Sequence, residues 1–316
     1  MEIIHLSYPI NKAAELGLNA GVSIAIGHFD GVHRGHQNVI SEAVKQARIH
    51  GLQSAVMTFH PHPREVLGRG KHYYQCLTPL ERKTELFRML GVDIVFVMDF
   101  DQSLSAVPPD RFVNDILRGL GVSHASVGFD FTFGHRGAGT AELLAELGAP
   151  DIDVHIVEPL LVKQGFKVSS TYTREALENG DIATATDLLG RPYEVTGTVV
   201  HGDGRGRTIG FPTANLQLHH AYVAPRLGVY AVKVWMDGAS YNGVLNHGMK
   251  PTFNKGEIVP VMEAHVFQFD KDIYGKSITV QFMAFIRPEQ KFGSIDELIG
   301  QIRSDSKVAE EILATS

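Results

Sequence analysis

The sequence predicts an α/β chain in two parts: a first half built on a parallel sheet, then an antiparallel β-barrel closed by a terminal helix. Three observations carry this. Short apolar runs alternate with helical periodicity through the first half. From residue 193 the pattern becomes a series of β-type segments joined by turns. Each half also contains a glycine-bearing loop of its own design, the first at the end of an apolar run and the second ahead of a strand-like segment.

The first half begins with the apolar run Val22–Ile26, ended by Gly27. After a histidine-containing loop, Val39, Ile40, Ala43, Val44 and Ala47 recur at helical spacing. Ala55–Phe59 reads as a buried strand closed by His60-Pro61-His62-Pro63. A helix over 79–90, a strand over 94–98, a helix over 109–119 and a strand over 125–128 follow. Such alternation implies right-handed βαβ units and a parallel, Rossmann-like sheet. Ligands of these sheets lie at the carboxyl ends of the strands, where the loops fall.

Segments 195–200, 228–234, 241–245, 262–269 and 277–286 read as barrel strands. Ser294-Ile295-Asp296-Glu297 matches a capping box, and Leu298, Ile299, Ile302 and Val308 continue a final helix. Between the halves, Gly180 ends one helix, Asp181 caps the next and Gly190 stops it. The expected domains are 1–185 and 186–316.

Bulk properties narrow the function classes. A length of 316 residues suits two domains. A net charge of −6 argues against a chain-wide grip on nucleic acid. The single cysteine, Cys76, permits no internal disulfide and fits a reducing compartment. No run approaches the ~18 apolar residues of a membrane span, and the N-terminus lacks a basic stretch. The chain reads as cytoplasmic, with neither nucleic acid nor membrane as partner; oligomeric state is not legible.

In the first loop, His33-Arg34-Gly35-His36 stands at a strand-to-helix corner, where free N–H groups and the helix dipole favour a phosphate. Gly35 lets the backbone come close, and both imidazoles can face the ligand. Metal ligation by two histidines is the alternative, but structural and catalytic sites usually take three or more ligands. Ser169-Ser170-Thr171 and Arg174 fall at another helix start, supplying hydroxyls, N–H groups and a fixed cation; a plain N-cap is the bland reading of the triplet.

In the second half, Gly202, Gly204 and Gly206 precede a strand-like segment, which excludes the Walker and dinucleotide contexts. Arg205 and Arg207 flank them. Pro212-Thr213-Ala214-Asn215 follows, which in isolation reads as a turn. Glu263 sits in the apolar run Met262–Phe267, where an unpaired charge is costly.

These motifs, with Phe29-Asp30-Gly31-Val32-His33, Thr58–Pro63, Gly128-Phe129-Asp130-Phe131-Thr132-Phe133-Gly134 and Asn246-His247-Gly248-Met249-Lys250-Pro251-Thr252-Phe253, resemble the bifunctional riboflavin kinase/FMN adenylyltransferase family along essentially the whole chain. The resemblance implies an HxGH nucleotidyltransferase domain followed by a riboflavin kinase barrel. ATP would serve twice as co-substrate, with riboflavin converted to FMN, then FMN to FAD and pyrophosphate. His33 and His36 would act at the ATP phosphates, joined by Gly27, Phe29, Asp30, Gly35, Ser170, Thr171 and Arg174. In the kinase half, Gly202, Gly204, Gly206, Thr213 and Asn215 would hold ATP, with Mg²⁺ on the last two, and Glu263 would be the base. His60, His62, Asp130, Asn246 and Arg287 would contact flavin. Tyr172, Thr132, Thr140 and His247 depart from the common family pattern. Two alternatives remain: one half alone is active, or the chain is a flavin-responsive binder without turnover.

Overall fold

The computed structural model describes residues 1–10, 21–62, 66, 68, 75–162, 165–202, 205–251 and 258–315, the side chains at 205, 207, 251, 258 and 259 excepted. Thr252, Phe253, Asp203 and Gly204 lie outside the described residues. Chain contacts divide it into Met1–Ser170 and Thr171–Ser316.

The first unit runs β1 (Glu2–Leu6), β2 (Val22–Ile26), α1 (Arg34–His50), β3 (Gln53–His60), α2 (Leu80–Met89), β4 (Ile94–Asp99), β5 (Val122–Gly128), β6 (Thr132–Phe133), β7 (Gly139–Thr140), α3 (Ala141–Gly148) and β8 (Asp153–Val157). Six strands form one sheet in the order β1-β4-β3-β2-β5-β8, with every ladder parallel. All of β2 is buried, as a strand covered on both faces requires. Ile24, Ile26, Met57 and Phe96 enter one core, while Ala25, Val56, Val95 and Val97 meet Ile40, Val44, Leu86 and Phe87 in the other.

The chain steps outward from β2 to β3 and β4, then returns to place β5 on the opposite side of β2. This reversal opens a crevice at the carboxyl ends of β2 and β5, the usual ligand position in an open α/β sheet. The loops that begin at Gly27 and Phe129 leave from those two ends.

Edge strands β1 and β8 have no continuous apolar run, and the sequence gives little sign of them. The helix expected over 109–119 is a short turn, Pro109–Arg111, that widens into a π-helical segment, Phe112–Leu117. Phe112, Val113, Ile116 and Leu117 are all buried there. Thr140, one of the departures from the family pattern, caps α3 by accepting the Leu143 N–H.

The second unit contains most of α4 (Ser170–Asn179), then α5 (Ile182–Leu189), β9 (Tyr193–Val200), β10 (Ala214–Leu218), β11 (Gly228–Met236), β12 (Ala239–Pro251), β13 (Ile258–Val266), β14 (Ser277–Arg287) and α6 (Ile295–Ala314). Six strands close into an antiparallel barrel in the order β10-β13-β12-β11-β14-β9. Alternate residues of β9 are buried, and Tyr193, Tyr230, Leu245 and Phe282 are large buried side chains of the wall. Ala309 and Leu313 of α6 pack on Val229, Ala231 and Val244.

Asp181 caps α5 and Gly190 ends it in the left-handed region. Helix α5 packs against β9 and β14. At α6, Ser294 accepts the Glu297 N–H at 3.2 Å, while Glu297 accepts from Gly293 at 2.8 Å in place of the Ser294 N–H of a full capping box.

Arg287, at the end of β14, makes a two-pronged pair with Asp305 of α6, at 3.0 Å from Nε and 2.7 Å from Nη2. Gln301 donates to the same carboxylate at 2.8 Å. Asp305→Ala removes the buried carboxylate that this half-buried guanidinium holds, leaving it the Pro288 carbonyl, and should destabilise the barrel by about 1.5–3 kcal/mol. The sole tryptophan, Trp235 on β11, reports barrel unfolding by fluorescence. A denaturation midpoint unchanged from wild type would refute this role.

Candidate active sites

In the first unit, the chain leaves β2 through Gly27 and turns with positive φ at Phe29 (54°), Gly31 (88°) and Val32 (42°). A β-branched residue such as Val32 adopts this region only under external constraint. The constraints are visible. Asp30 accepts main-chain N–H bonds from Leu77 at 2.9 Å and Thr78 at 3.1 Å, and its carbonyl accepts the Ser170 hydroxyl at 2.8 Å. The Phe29 ring packs edge-on against Phe87 and His36. Asp30 and Phe29, expected at the nucleotide, therefore turn their side chains inward as struts, leaving the loop backbone for a ligand.

His33 caps α1, its Nδ1 accepting the His36 N–H at 3.2 Å. The two imidazoles stack with centroids 3.5 Å apart. A Cβ on Gly35 would press on the His33 ring at 3.2 Å. His28 meets His62 edge-on at 3.9 Å, which brings the second histidine motif to the first loop. His60 is exposed at the end of β3. Asp130, beyond β5, pairs with Lys167 at 2.5 Å, and that ammonium also covers the Phe129 ring. Ser170, Thr171 and Arg174 lie on the first two turns of α4.

His28 Nδ1 and His36 Nδ1 are buried without a hydrogen-bond partner among the described residues. Burial holds both imidazoles well below the ordinary 6.5. Nearby cationic groups add to this, chiefly Lys83 and His62 at His28, and His33 and Lys83 at His36. The corner thus presents neutral rings, a helix start and a strained backbone loop, as an incoming polyanion needs.

The barrel site is assembled by register. Asn215 of β10 stands opposite Glu263 of β13, which stands opposite Asn246 of β12. Paired residues share a face, so the three form one polar row. Lys250 donates to Glu263 at 3.3 Å. The row lines a cavity of about 220 Å³ together with Gly206, Thr213, Lys250 and Glu289. A second cavity of about 360 Å³ shares Thr213 and extends over Val199, Val266, Phe269 and 270–274.

Gly202 lies so close to Asn215 that a Cβ would overlap its amide, and a Cβ on Gly206 would strike the Phe211 carbonyl. These two positions require glycine because the loop closes directly over the Thr213–Asn215 segment. A helical turn, Arg205–Thr208, stands within the loop where only strand-like chain was expected. His265 Nδ1 donates to the Pro212 carbonyl, 2.8 Å away, and steadies that segment.

Arg287, expected at the flavin, donates through Nε and Nη2 to Asp305 of α6. His247 is buried, and burial lowers its pKa. Two residues not singled out in the sequence are Lys83, one of five charged residues on α2 and so without a distinguishing signal, and Glu289, which follows β14.

A nucleotide-type crevice on a parallel sheet, joined to a barrel with a glycine-covered polar row, defines a two-site phosphate-handling protein. The FAD synthetase model matches residues 17–172 and the riboflavin kinase model residues 189–313. The bifunctional riboflavin kinase/FMN adenylyltransferase of Bacillus subtilis is 44% identical over 98% of this chain and 97% of its own length. That of Escherichia coli is 39% identical over 92% of each chain. A solved structure described as a macrolide-efflux protein from Streptococcus pneumoniae superimposes with a TM-score of 0.87 and 33% identity, covering 96% of this chain and 99% of that one. The chain belongs to the bifunctional riboflavin kinase/FMN adenylyltransferase family. Among the described residues, no helix is long and apolar enough to cross a membrane.

The neutral histidines have a consequence for stability. The unfolded chain takes up protons at His28 and His36 near pH 6.5, while the fold holds both below that value. Stability present above pH 6.5 is therefore lost as the pH falls through it toward the lowered native values. Amide exchange in β2–β4, corrected for intrinsic rates, should accelerate from pH 7 to 5.5. His36→Asn should flatten that dependence; an equally steep dependence would exclude His36 as a source.

Proposed function

We propose that this chain phosphorylates riboflavin at the barrel row and adenylylates the resulting FMN at the His33–His36 corner, with 1–185 and 186–316 as the working modules. The observation that carries the reading is the Asn215–Glu263–Asn246 row beneath the glycine loop, a base flanked by two amides at the mouth of a shared cavity.

Phosphorylation requires the ribityl 5′-hydroxyl to lose its proton as its oxygen attacks the γ-phosphorus of ATP, with ADP leaving. Glu263 is positioned to take that proton. Lys250 and Asn246 fix the carboxylate and the hydroxyl, and Glu289 closes the same cavity. The 360 Å³ cavity beyond Thr213 accommodates the nucleotide. Thr213 and Asn215 fit Mg²⁺ by their oxygen chemistry, and the ion would neutralise charge on the β- and γ-phosphates.

Adenylyl transfer needs no comparable base. An ionised FMN phosphate oxygen attacks the α-phosphorus of ATP, the bond to the β-phosphate breaks and pyrophosphate leaves. His33 and His36 stabilise charge at the α-phosphate, and the α1 start receives the chain. Ser170, Thr171 and Arg174 serve the β- and γ-phosphates, while His62, His60 and Asp130 border the flavin nucleotide. Flavin cofactor synthesis of this kind, with one cysteine in the chain, fits the cytoplasm.

Product analysis with riboflavin, ATP and Mg²⁺ tests the whole reading. FMN followed by FAD is expected; FMN alone would mean that only the barrel is active, and neither product would leave a binder. His36→Ala should lower FAD formation from FMN by ~10²–10³ while sparing FMN formation, the loss expected for one preorganised donor.

Glu263→Gln should do the reverse, reducing riboflavin phosphorylation by ~10²–10⁴ while FMN added directly is still converted to FAD. Near-normal phosphorylation in that variant would move the base elsewhere in the barrel, with Asp270 of the second cavity the first alternative among the described residues.

A further inference from the structure

Lys83 is a buried lysine on α2, only 3% exposed. Its ammonium donates to the His28 carbonyl at 3.0 Å and reaches the Thr58 hydroxyl at 3.4 Å. Thr58 itself donates to the same carbonyl at 3.0 Å. Two donors from two different elements thus converge on one main-chain oxygen, immediately before the positive-φ residues Phe29, Gly31 and Val32. On the other side of this loop, Asp30 takes the N–H groups of Leu77 and Thr78, just ahead of α2. Lys83 of α2 and the segment that leads into α2 therefore hold the loop at His28 and at Asp30.

We propose that Lys83 is a positioning residue for adenylyl transfer: through the His28 carbonyl it holds the strained loop and the His33–His36 corner in the geometry that receives the nucleotide. This rests on the adenylyl-transfer reading above. The physical argument is one of cost. A lysine is almost never this buried without a specific partner, because removing its charge from water is expensive. Here the partners are a carbonyl and a hydroxyl at the loop, with Asp30, Cys76 and Glu81 supplying longer-range negative potential. A helix made only to pack would carry an apolar residue at this position. The charge also lies close enough to depress both His28 and His36, so its field extends to the rings that face the ligand. Burial brings the ammonium's own pKa down to about 8. Its grip is thus complete below that pH and weakens above it.

The test is Lys83→Met in the full chain, which keeps the stem and removes the charge. FAD formation from FMN and FMN formation from riboflavin are measured in the same preparation. The variant should lose about 10²-fold in kcat for adenylyl transfer, the scale of a small misplacement of reacting groups. Riboflavin phosphorylation should stay within twofold. In wild type, kcat/KM for ATP in adenylyl transfer should decline above about pH 8, and this alkaline limb should vanish in the variant. A packing residue alone would leave the limb in place. Thr58→Val, which removes the second donor without burying a charge, should lower adenylyl transfer about tenfold and decides the matter if Lys83→Met does not fold. Wild-type rates in Thr58→Val or Lys83→Met, or an unchanged alkaline limb, would overturn the proposal while leaving the adenylyl-transfer reading intact. A wild-type chain that makes no FAD from FMN would overturn both.

Discussion

A polyphosphate is held by main-chain N–H groups only where the backbone can approach it without a side chain intervening, and where the exposed turn is kept from relaxing. Both sites of this chain meet that constraint, by different means. At the end of β2 the turn is forced through positive φ and pinned by Asp30, Ser170 and the buried Phe29 ring. In the barrel the approach is made by glycine itself, since a Cβ at Gly202 or Gly206 would collide with the segment beneath. The parallel sheet supplies a rigid edge and a helix start, so strain can be stored there. In the barrel the covering loop approaches through its glycines.

The two chemistries ask for different electrostatics. Transfer to an already ionised phosphate oxygen requires only that developing charge be met, and neutral rings on a positive helix end can do so without opposing a long-lived charge. Transfer to a hydroxyl requires a proton acceptor in addition. The proposed acceptor, Glu263, stands at the centre of a row whose flanking members, Asn215 and Asn246, are uncharged amides. A second carboxylate directly opposite would have raised the cost of ionising the first. Lys250, the second same-face position along β12 from Asn246, supplies the compensating cation.

Much of this was legible in the residues themselves. The buried strands β2, β3 and β4 are continuous apolar runs, and the histidine loop, the Thr213–Asn215 segment and Glu263 stand out against them. What the sequence concealed has a common cause: dependence on partners distant along the chain. Edge strands β1 and β8 are only half covered and lose their pattern. Phe29 and Asp30 sit in the most recognisable motif, yet their roles are set by Phe87, Leu77 and Thr78. Arg287 gives no sign in the sequence of the Asp305 that α6 delivers to it.

Arg287 and Lys83 show how differently a buried cation can be used. Arg287 is matched by a carboxylate in fork geometry, with Gln301 satisfying the same acceptor, and its charge is cancelled locally. Such a pair fixes α6 on the barrel and projects little field beyond itself. Lys83 has no carboxylate within contact distance in its described hydrogen bonds; it leans on a carbonyl and a hydroxyl, and Asp30 acts on it only through space. The charge is therefore incompletely cancelled and reaches His28 and His36. A carboxylate placed beside it would be more stable and would silence that field. Retaining a poorly compensated lysine costs stability in the fold.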